Sequence, residues 1–248
     1  MFRSTQGGAN WVLANSGLFP IIVSLVIDPA APGTLYAGAD PGGGASFPGV
    51  FKTTNAGGLW SPVNTGLPSV AGTGVQALAL DPVSGAVYAG LEASGVYKTT
   101  NGGASWTPAS AGLTNLDVTS LRVDPELPDT VYAGTRGGGV FRSVNGGAAW
   151  AAINDGLYNP HVAALAATGP GALLAGSGGD GVFVLSVCAD GLDNDGDGTM
   201  DWNGGPGSVP ADPHCTQPWR RREAACGLGF ELALLLPPLA LWRRRRRG

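Results

Sequence analysis

Charge is scarce in this chain. Of its 248 residues only 13% are Asp, Glu, Lys or Arg, and histidine occurs twice, as His161 and His214. Residues 1–187 carry six Lys or Arg against ten Asp or Glu, so no basic stripe is available to track a phosphate backbone, and nucleic acid is not an expected partner. Cysteine is missing from the same stretch. Cys188, Cys215 and Cys226 all lie in the last quarter, an arrangement that suits an extracytoplasmic protein better than a cytosolic redox site. Helical periodicity does not persist anywhere in the first three quarters. There is no HExxH, no GxSxG and no lysine-bearing phosphate loop, which leaves nucleophilic and phosphoryl-transfer chemistry without support. "GTRGGG" has no helix after it and reads as a hairpin turn, not a dinucleotide fingerprint.

What is plentiful is apolar residues, at 44%, and glycine and proline, at 42 and 19 copies. The apolar content is enough for one large core or two smaller ones. Gly and Pro recur at fixed places and so read as turns. The string "VYKTTNGGASW" from Val96 returns as "VFKTTNAGGLW" from Val50, "VFRSVNGGAAW" from Val140 and "MFRSTQGGANW" from Met1. Its tryptophans, Trp11, Trp60, Trp106 and Trp150, are 49, 46 and 44 residues apart, the period of one four-stranded propeller blade. One unit divides into "GVQALALDP", "GAVYAG", "SGVYKTT" and "ASWTPAS", each a short run rich in β-branched or aromatic residues and bounded by turn formers. "SLVIDP" and "SLRVDP" repeat the first strand; "TLYAG" and "TVYAG" repeat the second.

The expected fold is therefore all-β, a β-propeller of about four four-stranded blades over residues 1–187. The last unit, "ALAATGP", "ALLAG" and "GVFVLSV", stops after its third strand, and the chain begins at a third strand. Two arrangements fit. Met1–Asn15 could supply the outer strand that Val162–Val187 lacks, closing a four-bladed ring with one third strand redundant. Alternatively the chain is an arc of a larger propeller, preferred here because four is the low end of blade numbers.

The repeat, read as Thr99-x-Asn101-x-Gly103-x-x-Trp106, resembles the Asp-box, or BNR, repeat of sialidase-like and xyloglucanase-like β-propellers. It is matched again at Ser4, Gly8 and Trp11; at Thr53, Asn55, Gly57 and Trp60; and at Ser143, Asn145, Gly147 and Trp150. The Asp position of that motif is held by Gln6 and three asparagines. Asn, like Asp, folds its side chain onto the backbone ahead and tolerates positive φ, and the following glycines complete the turn. Each Trp is expected to bury its ring on neighbouring strands, stabilising by about 2–3 kcal/mol by area. The resemblance implies that these hairpins are architectural and lie on the face away from any active site.

The opposite face is then built from loops that carry Asp40, Glu92, Asp117, Arg136, Asp155, Tyr158, His161 and Asp180. A glycosidase needs two carboxylates about 5–9.5 Å apart. A sialidase would also need an arginine cluster, where this face offers Arg136 alone, whereas a xyloglucanase-like pair of aspartates remains open. Most of these loops are short and glycine-rich, with little to build a deep cleft. The expected role is binding of a glycan or protein ligand, with glycoside hydrolysis as the rival and an assembly scaffold, pairing through exposed blade edges, as a third reading.

Residues 188–219 form an acidic segment bracketed by Cys188 and Cys215. Asp193, Asp195 and Asp197 alternate, Gly198 follows where an EF-hand-like loop bends, and Thr199 and Asp201 fall at its seventh and ninth positions. The twelfth position is Gly204 instead of Glu, so weak Ca²⁺ binding is expected; an acidic solvated linker is the alternative. The segment is similar to Asp-rich calcium-binding repeats of secreted proteins. A Cys188–Cys215 disulfide would add roughly 3–4 kcal/mol in the chain-entropy model.

Residues 220–248 join Cys226, an apolar run from Gly227 to Trp242 and five arginines. The run is shorter than a typical membrane span of about 20 residues, and the basic block favours a cytoplasmic end. The tail resembles a MYXO-CTERM sorting signal, which implies export, contact with the membrane and processing near Cys226 by a sorting protease; a permanent tail anchor is the alternative. Met1–Trp11 reads as a strand instead of a leader, so the expectation is an N-terminal truncation of a protein displayed on the bacterial surface or secreted.

Overall fold

The computed structural model describes residues 1–18, 21–40, 49–69, 73–127, 129–154, 156–169 and 172–185. The acidic segment, its cysteines and the C-terminal tail, including the expected hydrophobic helix, lie outside the described residues.

The described chain is all strand and turn. It begins with a two-stranded hairpin, β1 (Phe2–Arg3) and β2 (Val12–Leu13). Four antiparallel sheets follow in chain order. The first blade is β3 (Ile21–Ile27), β4 (Leu35–Asp40), β5 (Val50–Thr53) and β6 (Ser61–Pro62). The second is β7 (Val75–Leu80), β8 (Val87–Leu91), β9 (Gly95–Thr99) and β10 (Thr107–Pro108). The third is β11 (Val118–Val123), β12 (Val131–Thr135), β13 (Gly139–Ser143) and β14 (Ala151–Ala152). The last has three strands, β15 (Val162–Gly169), β16 (Ala172–Ser177) and β17 (Gly181–Leu185). The fourth strands are shorter than their sequence suggests, two residues each; the hairpin Trp precedes each of them, Pro62 and Pro108 close the first two, and β14 stops at Ala152 without a proline.

First strands of successive blades lie side by side, β3 against β7, β7 against β11 and β11 against β15. The glycine of the repeated second-strand "AG" makes this approach possible. A Cβ on Gly90 would lie 2.5 Å from Val118, on Gly134 2.6 Å from Val162, and on Gly38 2.9 Å from the Val75 carbonyl. Around that contact the third-strand valines Val50, Val96 and Val140 are completely buried, with Leu78 and Leu121 of the following blades at 6% and 8% exposure. The core is thus a series of blade-to-blade layers.

The repeated hairpins form the same local network each time. Thr53, Thr99 and Ser143 hydroxyls are buried, donate to Asn55, Asn101 and Asn145 Oδ1 at 2.8 Å, and accept from the Gly57, Gly103 and Gly147 amides. The Asn Oδ1 also accepts from the amide four residues on. Positive φ falls on the two residues after the Asn, such as Ala56 (56°) and Gly57 (88°), and not on the Asn itself. In the first copy Ser4 Oγ accepts from the Gln6 and Gly8 amides.

Each hairpin also locks onto the blade before it. The indole N–H of Trp60, Trp106 and Trp150 donates to the Ala14, Val63 and Ala109 carbonyls. Arg3, Lys52 and Lys98 reach forward to the Ala56, Gly102 and Gly146 carbonyls of the next hairpin. Trp11 departs from the expected burial, at 59% exposure against 2–6% for the other three, because no described strand lies before it to receive the ring.

The hairpin β1–β2 stands at the third- and fourth-strand positions of a blade preceding β3. Among the described residues it pairs only with itself, and β17 has no fourth strand beside it. The four-bladed closed ring is therefore not formed by the described strands, which make an arc.

Candidate functional site

At the end of the sheets away from the hairpins, loops from neighbouring blades are tied together by side-chain amides. Asn115 Oδ1 accepts from the Asp117 amide at 2.9 Å, while its Nδ2 donates to the Arg136 carbonyl of the next turn at 3.1 Å. Asn159 repeats this one blade later, accepting from the His161 amide and donating to the Gly178 carbonyl. A second tie comes from the loop after each fourth strand: Asn64, Ser110 and Asn154 accept from the Val50, Val96 and Val140 amides at 2.7–2.8 Å. The glycine two residues further on has positive φ, and in Gly17, Gly66 and Gly112 a Cβ would collide with the carbonyl oxygen of the following Trp.

The expected site residues are distributed on this scaffold as follows. Asp117 and Arg136 form an ion pair, Nε to Oδ2 3.5 Å, with Arg136 half exposed and Asp117 more enclosed. The backbone of Arg136 bridges to His161, whose ring covers Gly178. Asp180 Oδ2 accepts from Asn159 Nδ2 at 2.8 Å. Tyr158 is 78% exposed, its ring tilted against Phe183 at 6.4 Å between centroids. These residues, with Asn159, are contiguous across the third and fourth blades. Asp40 lies one junction further back, accepting from Gln76 Nε2 at 2.8 Å, and Glu92 follows β8, its amide bonded to the Gly74 carbonyl. Asp155 lies outside the described residues, as do Asp193, Asp195, Asp197, Thr199 and Asp201, the residues expected to bind Ca²⁺.

Three of the carboxylates, Asp40, Asp117 and Asp180, thus hold a neighbouring side chain across a loop. A cavity of about 220 Å³ lies elsewhere, between the outer strands of the second blade and the next hairpin, lined by Lys98, Ser110, Asn145 and Gly146 among others. Sequence pattern alone does not single out the bridging amides Asn115 and Asn159. Their signal was the second repeated tetrapeptide, "NTGL", "SAGL" and "NDGL", which fixes the loop that carries them.

These layered sheets define the chain as a β-propeller, and comparison with solved structures agrees. A GH74 enzyme from Niastella koreensis aligns at TM-score 0.56 and 21% identity, over 74% of this chain and 32% of its own. A GH74 xyloglucanase from Xanthomonas campestris aligns at 0.50 and 18%, over 71% and 30%. The extracellular domain of a protein described as a one-component system, from B. thetaiotaomicron, aligns at 0.54 and 16%, over 71% and 23%. At these identities the likeness is one of fold, and the chain spans a quarter to a third of the length of those structures. No protein-family model and no curated protein matches the sequence.

Proposed function

We propose that this chain is part of an exported β-propeller of Asp-box type that binds a glycan or protein ligand through its amide-bridged loop face. The observation that carries this reading is the use of the loop carboxylates. Asp40, Asp117 and Asp180 each engage Gln76, Arg136 or Asn159 through Oδ2, which stiffens the face and presents half-exposed polar groups beside the exposed ring of Tyr158. A stiff, shallow polar face with one aromatic ring suits recognition, since little ordering entropy is lost on binding. Hydrolysis would call for two carboxylates free to act on one bond. The resemblance of fold to a xyloglucanase and to an extracellular domain supports a polysaccharide or an extracellular ligand and a location outside the cytoplasm. In this reading the acidic segment binds Ca²⁺ weakly, and the tail carries the protein to the membrane for processing at Cys226.

The test incubates the full chain with xyloglucan and with sialylated oligosaccharides, recording both retention and product. Saturable retention without new reducing ends supports binding. Product formation that disappears in Asp40→Asn or Asp180→Asn establishes hydrolysis instead.

A further inference from the structure

The three hairpins after β5, β9 and β13 share one network, yet the residue after the asparagine is tied down in only two of them. The Ala56 amide donates to the Gly33 carbonyl and the Gly146 amide to the Asp129 carbonyl, both at 2.8 Å. The Gly102 amide has no acceptor among the described residues. The cause lies in the turn between first and second strands. Residues 28–34 and 124–130 provide seven residues there, and the penultimate carbonyl, of Gly33 or Asp129, reaches the hairpin; residues 81–86 provide six. Gly85 is the penultimate residue of that shorter turn, and its own amide folds back to the Asp81 carbonyl. A Cβ on Gly85 would meet nothing within 4 Å, whereas one on Gly33 would lie 3.2 Å from the Thr54 carbonyl oxygen. Gly102 is also only half-buried, where Gly146 is buried.

That amide adjoins a side chain set up for acyl chemistry. Asn101 is exposed. Its Oδ1 accepts from the Thr99 hydroxyl at 2.8 Å and from the Ser105 amide at 3.0 Å, two donors on an oxygen that gains charge when Cγ is attacked. Its Nδ2 donates to Ser105 Oγ at 2.8 Å, which places a hydroxyl beside the nitrogen that would leave. Asn145 and Asn55 have the same pair of donors on Oδ1, from Ser143 and Ala149 and from Thr53 and Leu59. They lack the rest. Ala149 and Leu59 carry no hydroxyl, the amide after each asparagine is bonded, and Ala56 brings a Cβ to the attacking residue. Gly102, without a side chain, leaves the approach open.

We propose that Asn101 is a self-modification site, the asparagine that the native fold converts to an acid ahead of its two counterparts. The Gly102 nitrogen bonds to Asn101 Cγ as its proton passes to solvent base. The Cγ–Nδ2 bond then breaks and Nδ2 leaves as ammonia, taking a proton from Ser105 Oγ, which water restores; the product is a cyclic succinimide. Water opens that ring with no change of oxidation state. Cleavage between the Gly102 nitrogen and Cγ yields aspartate at position 101, and cleavage at the main-chain carbonyl carbon yields isoaspartate. The aspartate keeps both acceptor bonds of Oδ1 and gives this hairpin the carboxylate of the motif it resembles, one residue from the carbonyl that Lys52 Nζ holds at 2.8 Å. Isoaspartate carries the chain through Cβ and lengthens the turn that sets Gly103 on Thr99 and Trp106 on Val63. The junction of the first two blades is therefore the one that ages.

The experiment is peptide mapping by mass spectrometry of the full chain held at mildly alkaline pH, under native conditions and in concentrated urea, with hydroxylamine to cleave at the succinimide. Asn101 and Asn145 both begin the sequence NGGA, so their rates in urea should be similar. The expected native result is acid at position 101 accumulating about five- to tenfold faster than at position 145, the equivalent of one amide hydrogen bond, with position 55 slower still. In Ser105→Ala both stretches read NGGAAW, and the native ratio should stay above about threefold because the Gly146 bond remains. A ratio of one in that variant would overturn the role given to the Gly102 amide. Equal native rates at positions 101 and 145, or faster conversion at 145, would overturn the proposal. A difference of the same size in urea would overturn it as well, since sequence and not the fold would then be the cause. Conversion confined to urea would do so too, as a reaction that the fold prevents.

Discussion

The indole Nε1 of Trp106 donates to the main-chain oxygen of Val63 at 2.7 Å, so the hairpin of one blade is fastened to the outer strand of the blade before it. Trp150 makes the same bond to Ala109 at 2.7 Å, and Trp60 to Ala14 at 3.1 Å. A residue placed by its own turn therefore holds the arc together, and its worth depends on a neighbour more than 40 residues away.

Trp106→Ala is expected to cost about 3–5 kcal/mol, the usual loss for a buried aromatic ring, whereas Trp11→Ala should cost under about 1 kcal/mol because its ring is 59% exposed. Urea unfolding of the two variants separates them. Equal losses would show that the hairpin, and not the contact between blades, is what the ring stabilises.

Gly112→Ala should be among the most disruptive small changes in the chain. Its φ is +92°, and a Cβ there would strike the Trp150 carbonyl oxygen, where Gly85, at φ +71°, has open space around it. Left-handed strain alone is about 1–2 kcal/mol, so Gly85→Ala should stay near that figure and Gly112→Ala should exceed it by the displacement of a main-chain oxygen. Thermal melting of the pair gives the comparison directly.

Stability should fall in alkali for a reason that can be traced to one phenol. Tyr88 is fully buried and its hydroxyl has no hydrogen-bond partner among the described residues; burial, helped by the charges of Asp81 and Asp129, pushes its pKa up to about 12 from an ordinary 10.0. The unfolded chain loses this proton near pH 10 and the native chain near pH 12. The contribution is thus intact below pH 10 and lost through about pH 12, a fall on the order of 3 kcal/mol. Tyr88→Phe should flatten this part of the profile and leave stability at neutral pH equal or higher, since it removes an unpaired buried hydroxyl. Denaturant titrations from pH 8 to 12 of both proteins check the sign.

Binding should depend on the bridging amides as much as on the exposed groups. Asn159→Ala removes the bonds to Gly178 and Asp180 at once and frees two loops. A loss of about tenfold in affinity is expected, against a smaller loss for Tyr97→Phe, which lies on β9 away from that junction. Calorimetry with whichever ligand the retention assay selects would show it.

The sequence made the blades legible because turn chemistry repeats: Thr99, Asn101, Gly103 and Trp106 recur in register, and each contact among the first three lies within four residues. It was less informative wherever the partner is distant. Asn115 and Asn159 reach carbonyls 21 and 19 residues ahead, across a turn whose path no local pattern reveals. Trp11 shares the motif of its three counterparts and not their burial, because burial belongs to the neighbouring blade and not to the motif. The sequence offers Asp40, Asp117 and Asp180 as candidates, yet their commitments to Gln76, Arg136 and Asn159 are properties of the assembled loops.

The central claim is that recognition belongs to the loop face and the hairpin face is architectural. The most direct measurement is amide chemical-shift mapping of the isotope-labelled chain during titration with xyloglucan oligosaccharides, alongside the ligand chosen by the retention assay. Perturbations at Asn115, Arg136, Tyr158, Asn159 and Asp180, with Asn55, Asn101 and Asn145 unmoved, are the predicted result. Perturbations centred on those three hairpin asparagines would contradict the account.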